Sequence, residues 1–326
     1  MDYTVVIPVY NTDTAWIRDA VESVLQNKEC KYEICLVDDG STEQTAAFLD
    51  RIQDKNKNVK VLHRPHKGVS AARNAGTAAA EGDYIVYLDA DDRLIPGVLD
   101  RTAKYLREEN PDLLLTDIGR VRTDSPESVA PEMLHDIRKL RRYYCLMNVS
   151  GIRGKDHWLN RAPHGRFVKR ELARAVPFRE NLAFGEDMIW NMEILQRAGR
   201  IARACCQTYV YRKNPFSATQ RERPEFPREL HVLFRFLKES CEGEEAVFRA
   251  SAVEFFTILM RVYVFAAPSA ERYARYRKEV QRPFWKEIFR KVDLSLLRGR
   301  YRLTAVLMRY KLYALLYTVY RVHHKG

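Results

Sequence analysis

An α/β fold is predicted by this 326-residue sequence, with a mostly parallel sheet, helices on both of its faces, and a helical, basic C-terminal region. Three observations predict it. Short apolar, β-prone runs alternate with helix-like stretches early in the chain, the pattern of strands joined by crossover helices. Those runs end in polar residues, at Asn11, at Asp38 with Asp39, and at Asp89 with Asp91. From Pro227 onward, apolar residues recur at three- and four-residue spacing, which marks helices.

The elements follow in order. A first strand ends at Pro8-Val9-Tyr10-Asn11, and Thr12-Asp13-Thr14 supply caps for a helix to about Gln26. The next strand, 32–37, delivers Asp38-Asp39-Gly40-Ser41-Thr42, where Gly40 permits a tight turn and Ser41 or Thr42 caps the following helix. A short strand at 59–62 precedes the small-residue helix start 68–76, which carries one arginine, Arg73, among alanines. The strand 84–88 then runs into Asp89-Ala90-Asp91-Asp92, a helix covers 98–108, and a fifth strand covers 112–116. In open α/β sheets ligands gather at the carboxyl ends of strands, where these acids fall. Three carboxylates within four positions repel one another unless a cation sits among them. Mg²⁺ or Mn²⁺ commonly binds through one or two carboxylates plus substrate phosphates. A solvated acidic turn is the plainer alternative.

Past 116 the pattern loosens. Positions 119–132 read as a loop or irregular hairpin, 134–147 as a helix, and 150–155 as a basic loop suited to a site edge or mobile lid. Trp158 is a core residue or an aromatic face on which a ligand could stack. Adjacent Glu186 and Asp187 open a helix, where its dipole favours acids. A late strand at 202–211 leads into Arg212, Lys213 and Ser217. His164 and His231 have the chemistry for a metal shell, but isolated histidines more often serve core or surface.

Composition bounds the function. Hydrophobic residues make up 46%, enough for a substantial core, and this excludes global disorder. The net charge of +12 suits nucleic acid, an anionic membrane or a phosphorylated substrate. The six cysteines form no Cys-x-x-Cys pair and read as reduced thiols. The chain opens on a strand rather than a signal peptide, and no apolar run reaches the roughly 18 residues needed to span a bilayer. The expectation is a cytoplasmic protein, soluble or peripheral at the inner membrane face. There the stretch 299–322, with Arg300, Arg302, Arg309, Lys311 and Arg321 and no acid, either docks on its own protein or lies on an anionic leaflet.

No Gly-x-Gly-x-x-Gly follows the first strand, and no Walker A sequence occurs anywhere. A nucleotide would be held here by carboxylates and a metal. The successive segments Val6-Ile7-Pro8-Val9-Tyr10-Asn11, Asp38-Asp39-Gly40-Ser41-Thr42, Ala72-Arg73-Asn74-Ala75-Gly76 and Leu88-Asp89-Ala90-Asp91-Asp92 resemble, in order and spacing, the signatures of family 2 glycosyltransferases. The resemblance covers about the first 215 residues. It implies the GT-A fold and inverting, Mn²⁺- or Mg²⁺-dependent transfer, usually from a UDP-sugar.

The resemblance also lends roles. Asp39, with Asp38 beside it, matches the acid that accepts from uracil, and Pro8, Tyr10 and Asn11 match the nucleoside pocket. Arg73 matches a basic residue near the pyrophosphate. Asp89 and Asp91 flank Ala90 as the Asp-x-Asp pair, the first facing ribose and the second holding the metal, with Asp92 as an alternative ligand. Asp187 matches the general base, supported by Glu186, and Arg212 or Lys213 with Ser217 matches a loop over the diphosphate. For Asp38 and Arg73 the plainer alternative is a buried pair or cap that fixes loops.

The implied layout is a nucleotide-sugar half over 1–118, an acceptor and catalytic-base half over 119–220, and a basic helical region over 221–326 for acceptor, membrane or oligomer contact. The implied acceptor is a glycan or lipid-linked saccharide in cell-surface polysaccharide synthesis, with self-association left open and no nucleic-acid partner. Two rivals remain. A sugar-nucleotide pyrophosphorylase lacks its Gly-rich phosphate segment here. A nucleic-acid-binding protein accounts for the charge but not for acids at strand ends.

Overall fold

The computed structural model describes residues 1–119, 131–146, 148–149, 160–212 and 224–323. The chain forms two compact units, 1–137 with 160–214, and 138–159 with 215–326. The division after Asn214 differs from the sequence-drawn boundary at 220, and the helix near 140, drawn with the acceptor half, falls in the second unit.

The first unit is built on a sheet of nine described strands. Strands β1 (Tyr3–Val9), β2 (Tyr32–Asp38), β3 (Val59–His63) and β4 (Tyr84–Tyr87) lie side by side in the order β3-β2-β1-β4, all parallel. Helices α1 (Thr14–Leu25), α2 (Glu43–Lys55) and α3 (Val69–Ala79) connect them. Nearly every residue of β1 and β2 is buried, as expected for strands covered on both faces. The small-residue character of α3 is explained by its closeness to the sheet. A Cβ at Gly76 would collide with the side chain of Val6, so only glycine lets this helix sit where it does.

Beyond β4 the sheet changes sense. Strand β5 (Arg93–Leu94), α4 (Val98–Glu109), β6 (Leu113–Gly119) and β7 (Glu132–Leu134) are followed by β8 (Arg166–Lys169), α6 (Arg170–Ala175), α7 (Glu186–Arg197) and β9 (Ile201–Val210), α5 being counted below. β8 inserts antiparallel between β4 and β6, and β6 pairs parallel with β9. The short strands β5, β7 and β8 have two to four residues and carry too little pattern to read from sequence. In the core, the buried Tyr3 hydroxyl donates to the Leu99 carbonyl of α4 at 3.0 Å, tying helix to sheet.

The second unit is helical: α5 (Ile137–Leu146), α8 (Phe226–Ser240), α9 (Glu245–Leu259), a π-helix (Met260–Phe265), α10 (Ser269–Gln281), α11 (Pro283–Lys291), α12 (Gly299–Arg309) and α13 (Tyr313–His323). α9 is buried around most of its circumference, and α8, α11 and α12 pack on it. The 299–322 stretch is two helices, broken where Lys311 takes φ +59°. Among the described residues, no helix is long and apolar enough to cross a membrane.

Candidate active site

The carboxyl ends of β1, β2 and β4 fall at one edge of the sheet, with Val9 beside Asp38 and Val6 beside Tyr87. The turn after β1 is locked to the turn after β2. Asn11 donates its N–H to the Ser41 hydroxyl at 3.0 Å and accepts from the Thr42 N–H at 2.9 Å. Pro8 is half-buried at the end of β1. Asp38 is a cap: its oxygens accept from the Ser41 N–H at 2.9 Å and meet His63 Nδ1 at 2.8 Å. Burial works against its ionisation, and the Ser41 and His63 contacts hold its carboxyl below the usual range.

Asp39 is buried and faces the loop before α3. It accepts from the Gly68 N–H at 2.7 Å and the Lys67 N–H at 3.1 Å, and lies 2.8 Å from His66 Nδ1. Tyr10, half exposed, is stacked against His66 with ring centroids 4.0 Å apart. The face that the resemblance gives to a nucleobase is here covered by an imidazole.

The acids after β4 form one group. Oxygens of Asp89, Asp91 and Asp92 all lie within 4.8 Å of one another. The buried Ala90 sits between the first two. Asp92 is buried; it accepts from the Tyr209 hydroxyl at 2.5 Å and from the Arg212 N–H at 2.6 Å. Burial pushes its carboxyl up to about 7, against those two hydrogen bonds. Asp92 therefore latches the end of β9 to the β4 turn, and the Asp89 and Asp91 carboxylates stand beside it in the same group. One or two carboxylates with phosphate oxygens is the set a hard divalent ion takes, so the donors fit Mg²⁺ or Mn²⁺.

Arg73 sits at the centre. It is 3% exposed, and it donates through Nη1 to Asp187 Oδ1 at 2.8 Å and through Nη2 to Asp89 Oδ1 at 3.0 Å. Its guanidinium also lies 5.2 Å from the Phe178 ring centroid. The residue expected near pyrophosphate is thus a buried bridge between two acids. Asp187 opens α7, placed there by Gly185 at φ +83°. Burial raises its carboxyl and Asp89 adds to that, outweighing the pull of Arg73 and His164. Asp89 is held well below the usual range, because the charges of His164 and Arg73 outweigh burial. Glu186, half-buried beside it, adds to the negative field on Arg73.

Sequence reasoning left two supports aside. His164 is buried, stacks on Tyr209 at 4.5 Å and brings Nε2 to 3.1 Å from Asp89. Tyr209 carried no signal at all, since a tyrosine in a late strand is ordinary. Arg212, matched to the loop over the diphosphate, is engaged by α1: Nη2 donates to Asp19 at 2.6 Å, and the guanidinium lies 5.4 Å from the Trp16 ring centroid. His231 belongs to the helical unit, where Nδ1 meets the Pro227 carbonyl at 2.7 Å. Trp158, Lys213 and Ser217 lie outside the described residues.

The chain resembles known proteins along this frame. It is 25% identical over 227 residues to a Bacillus subtilis (strain 168) protein named uncharacterized glycosyltransferase EpsJ, a match spanning 67% of this chain and 62% of the relative. It is 34% identical over 113 residues to the glycosyltransferase GlyG of Streptococcus pneumoniae serotype 4 (strain ATCC BAA-334 / TIGR4), which spans 34% of this chain and 37% of that one. The crystal structure of S. aureus TarS 1–349 in complex with UDP-GlcNAc shares the fold, with a TM-score of 0.67 at 20% identity over 100% of this chain and 92% of that one. The α/β architecture expected from the GT-A resemblance is thus the observed one. A profile described as glycosyl transferase family 2 matches residues 4–175, more than half of the sequence, and the chain belongs to that family.

Proposed function

We propose that this protein is an inverting glycosyltransferase that moves a sugar from a UDP-sugar to a hydroxyl of a glycan or lipid-linked saccharide, in cell-surface polysaccharide synthesis. The observation that carries the reading is the Asp89–Arg73–Asp187 bridge, which puts a carboxylate of raised pKa beside the acidic turn. The UDP-GlcNAc held by the TarS structure supports a uridine-diphosphate donor.

Asp187 takes the acceptor proton as the hydroxyl oxygen attacks the anomeric carbon from the face opposite the leaving diphosphate. A carboxyl raised above its ordinary value holds a proton more readily, which suits that task. Arg73 holds the base and the donor-side acid Asp89 in fixed register, and Glu186 supports the same helix mouth. Tyr10 and Asp39 bound the base pocket. A divalent Mn²⁺ or Mg²⁺ at Asp91 and Asp89 would supply charge neutralisation on the departing diphosphate. Of the cations expected on the leaving-group side, Arg212 is paired with Asp19, and Lys213 lies outside the described residues.

The reading includes peripheral contact with the cytoplasmic leaflet through α12 and α13. Tyr310, Leu312 and Leu315 are 68%, 47% and 52% exposed beside exposed Arg302, Lys311 and Arg321. That mixture of apolar and basic side chains favours an anionic interface. Arg309, by contrast, donates to the Phe289 and Val292 carbonyls and docks on its own unit.

The test is Asp187→Asn assayed with UDP-sugars. Transfer is expected to fall by roughly 100-fold or more, with Mn²⁺-dependent UDP binding nearly unchanged. Nearly unchanged transfer in that variant would remove Asp187 from the base role. A thermal shift with UDP, GDP, dTDP and CDP, with and without Mn²⁺, tests the donor class. Salt-dependent DNA retention without any nucleotide shift would instead favour the nucleic-acid rival.

A further inference from the structure

The helical unit holds a cavity that the transferase reading does not use. It measures about 170 Å³ and is lined from α8, α9, α10 and α11. Three of its rings form one cluster, with centroids 5.2 Å apart for Phe234 and Phe284, 5.6 Å for Phe234 and Trp285, and 5.0 Å for Phe284 and Trp285. Leu259 in its wall is the last residue before the π-helix, a form that recurs at functional sites.

Glu279 is the residue that does not belong in such a wall. It lines the same cavity and is 0% exposed, yet among the described residues neither carboxylate oxygen completes a hydrogen bond of acceptable geometry. Its one ion pair among those residues is with Arg282, whose Nη2 lies 2.9 Å from Oε1 on a side chain that is 33% exposed. Burial pushes the carboxyl up, against the pull of Arg282 and the Trp285 indole. A carboxylate among aromatic faces is costly unless a cation or strong donor serves it. Size limits the guest, since an apolar cavity of about 150 Å³ holds a benzene-sized molecule.

We propose that this cavity binds a compact ammonium, of the quaternary choline type, with Glu279 as the counter-charge and Phe234, Phe284 and Trp285 as the faces that receive the cation. Ring faces attract cations within about 6 Å of the centroid, and the attraction grows when the site is desolvated. The bound cation takes the place of an Arg282 contact that lacks hydrogen-bond geometry. The same head occurs free in solution and on phosphatidylcholine.

The experiment uses the full chain, titrated calorimetrically and by thermal shift with choline chloride and with its tert-butyl analogue, in which carbon replaces the charged nitrogen. Choline is expected to bind at least about tenfold tighter than the neutral analogue. At about 100 times Kd it should raise Tm by roughly 5 °C. Glu279→Gln should lose that preference while remaining folded, as judged by its own melting curve. Phe284→Ala, at an exposed position, should weaken choline binding without unfolding. Equal binding of the neutral analogue, an unaltered preference in Glu279→Gln, or no saturable choline binding at tens of millimolar each overturns the proposal. Phosphatidylcholine vesicles that bind and are displaced by free choline assign the ligand to a lipid head; choline binding without vesicle binding assigns it to a free amine.

Discussion

Arg73 and Asp187 stand 114 residues apart in the chain and meet through a 2.8 Å bond from Nη1 to Oδ1. The other arm of the same guanidinium holds Asp89. One buried cation thereby fixes the distance between the two acids that the proposed chemistry uses.

Removing that cation should damage stability as well as transfer. Arg73→Ala takes the shared cation from two largely enclosed carboxylates, leaving Asp89 only its His164 contact among those described above, a loss expected to cost roughly 3 kcal/mol. Arg73→Lys keeps the charge but cannot fork to both acids, so it should retain much of the stability and lose most of the turnover. Chemical denaturation alongside sugar-transfer rates separates the two; equal turnover in Arg73→Lys and wild type would show that the fork is not required.

Asp92 should give the metal-free protein a distinctive pH response. Its folded-state pKa is raised from the ordinary 3.8 to about 7, so the native state binds a proton that the unfolded chain has released. The stabilisation it contributes is complete below about pH 4 and fades as pH rises toward 7, by at most about 4 kcal/mol. Asp92→Asn keeps the shape and cannot titrate. Urea melts of both proteins in EDTA from pH 4 to 7.5 should show a stability difference that shifts with rising pH in favour of the variant. Parallel curves would mean that the Tyr209 and Arg212 contacts keep Asp92 ionised throughout.

His66 covers the exposed ring of Tyr10, and a nucleobase must displace it to stack there. Breaking an aromatic pair costs about 0.5–1.5 kcal/mol. His66→Ala is therefore expected to tighten UDP binding by roughly two- to tenfold, and Tyr10→Ala to weaken it. Calorimetry with UDP reads both. Weaker binding in His66→Ala would make the imidazole a ligand of the base rather than its competitor.

The α12–α13 corner should bind anionic vesicles in a salt-dependent way. Each exposed cation near a charged surface contributes about 1 kcal/mol. Lys311→Glu should thus reduce sedimentation with phosphatidylglycerol vesicles by at least about fivefold while leaving turnover of a soluble acceptor unchanged. An unaltered partition would move the contact elsewhere.

The acids at strand ends were legible because each is written as a contiguous run, a β-prone segment followed by carboxylates. What their side chains do was not. Asp38 and Asp39 turn toward neighbouring loops, and Arg212 turns toward α1, because the backbone turns that carry them set directions a linear pattern does not encode. His164 and Tyr209 support the acidic turn across 75 and 120 residues, and contacts of that separation leave no local trace. Likewise, the periodicity of 299–322 continues through Lys311, and only the backbone shows the break there.

The late insertion of β8 has a consequence for how the protein is made. β4 is complete at Tyr87, but the strand that covers its second edge begins at Arg166. Emerging from the ribosome at about 5–20 residues per second, the chain leaves that edge unpaired for on the order of ten seconds. An apolar, uncovered strand is a template for another nascent chain. Fragments ending between β6 and β8 should therefore be recovered as aggregates or bound to chaperones, and those that extend past Lys169 should be the first to stay soluble.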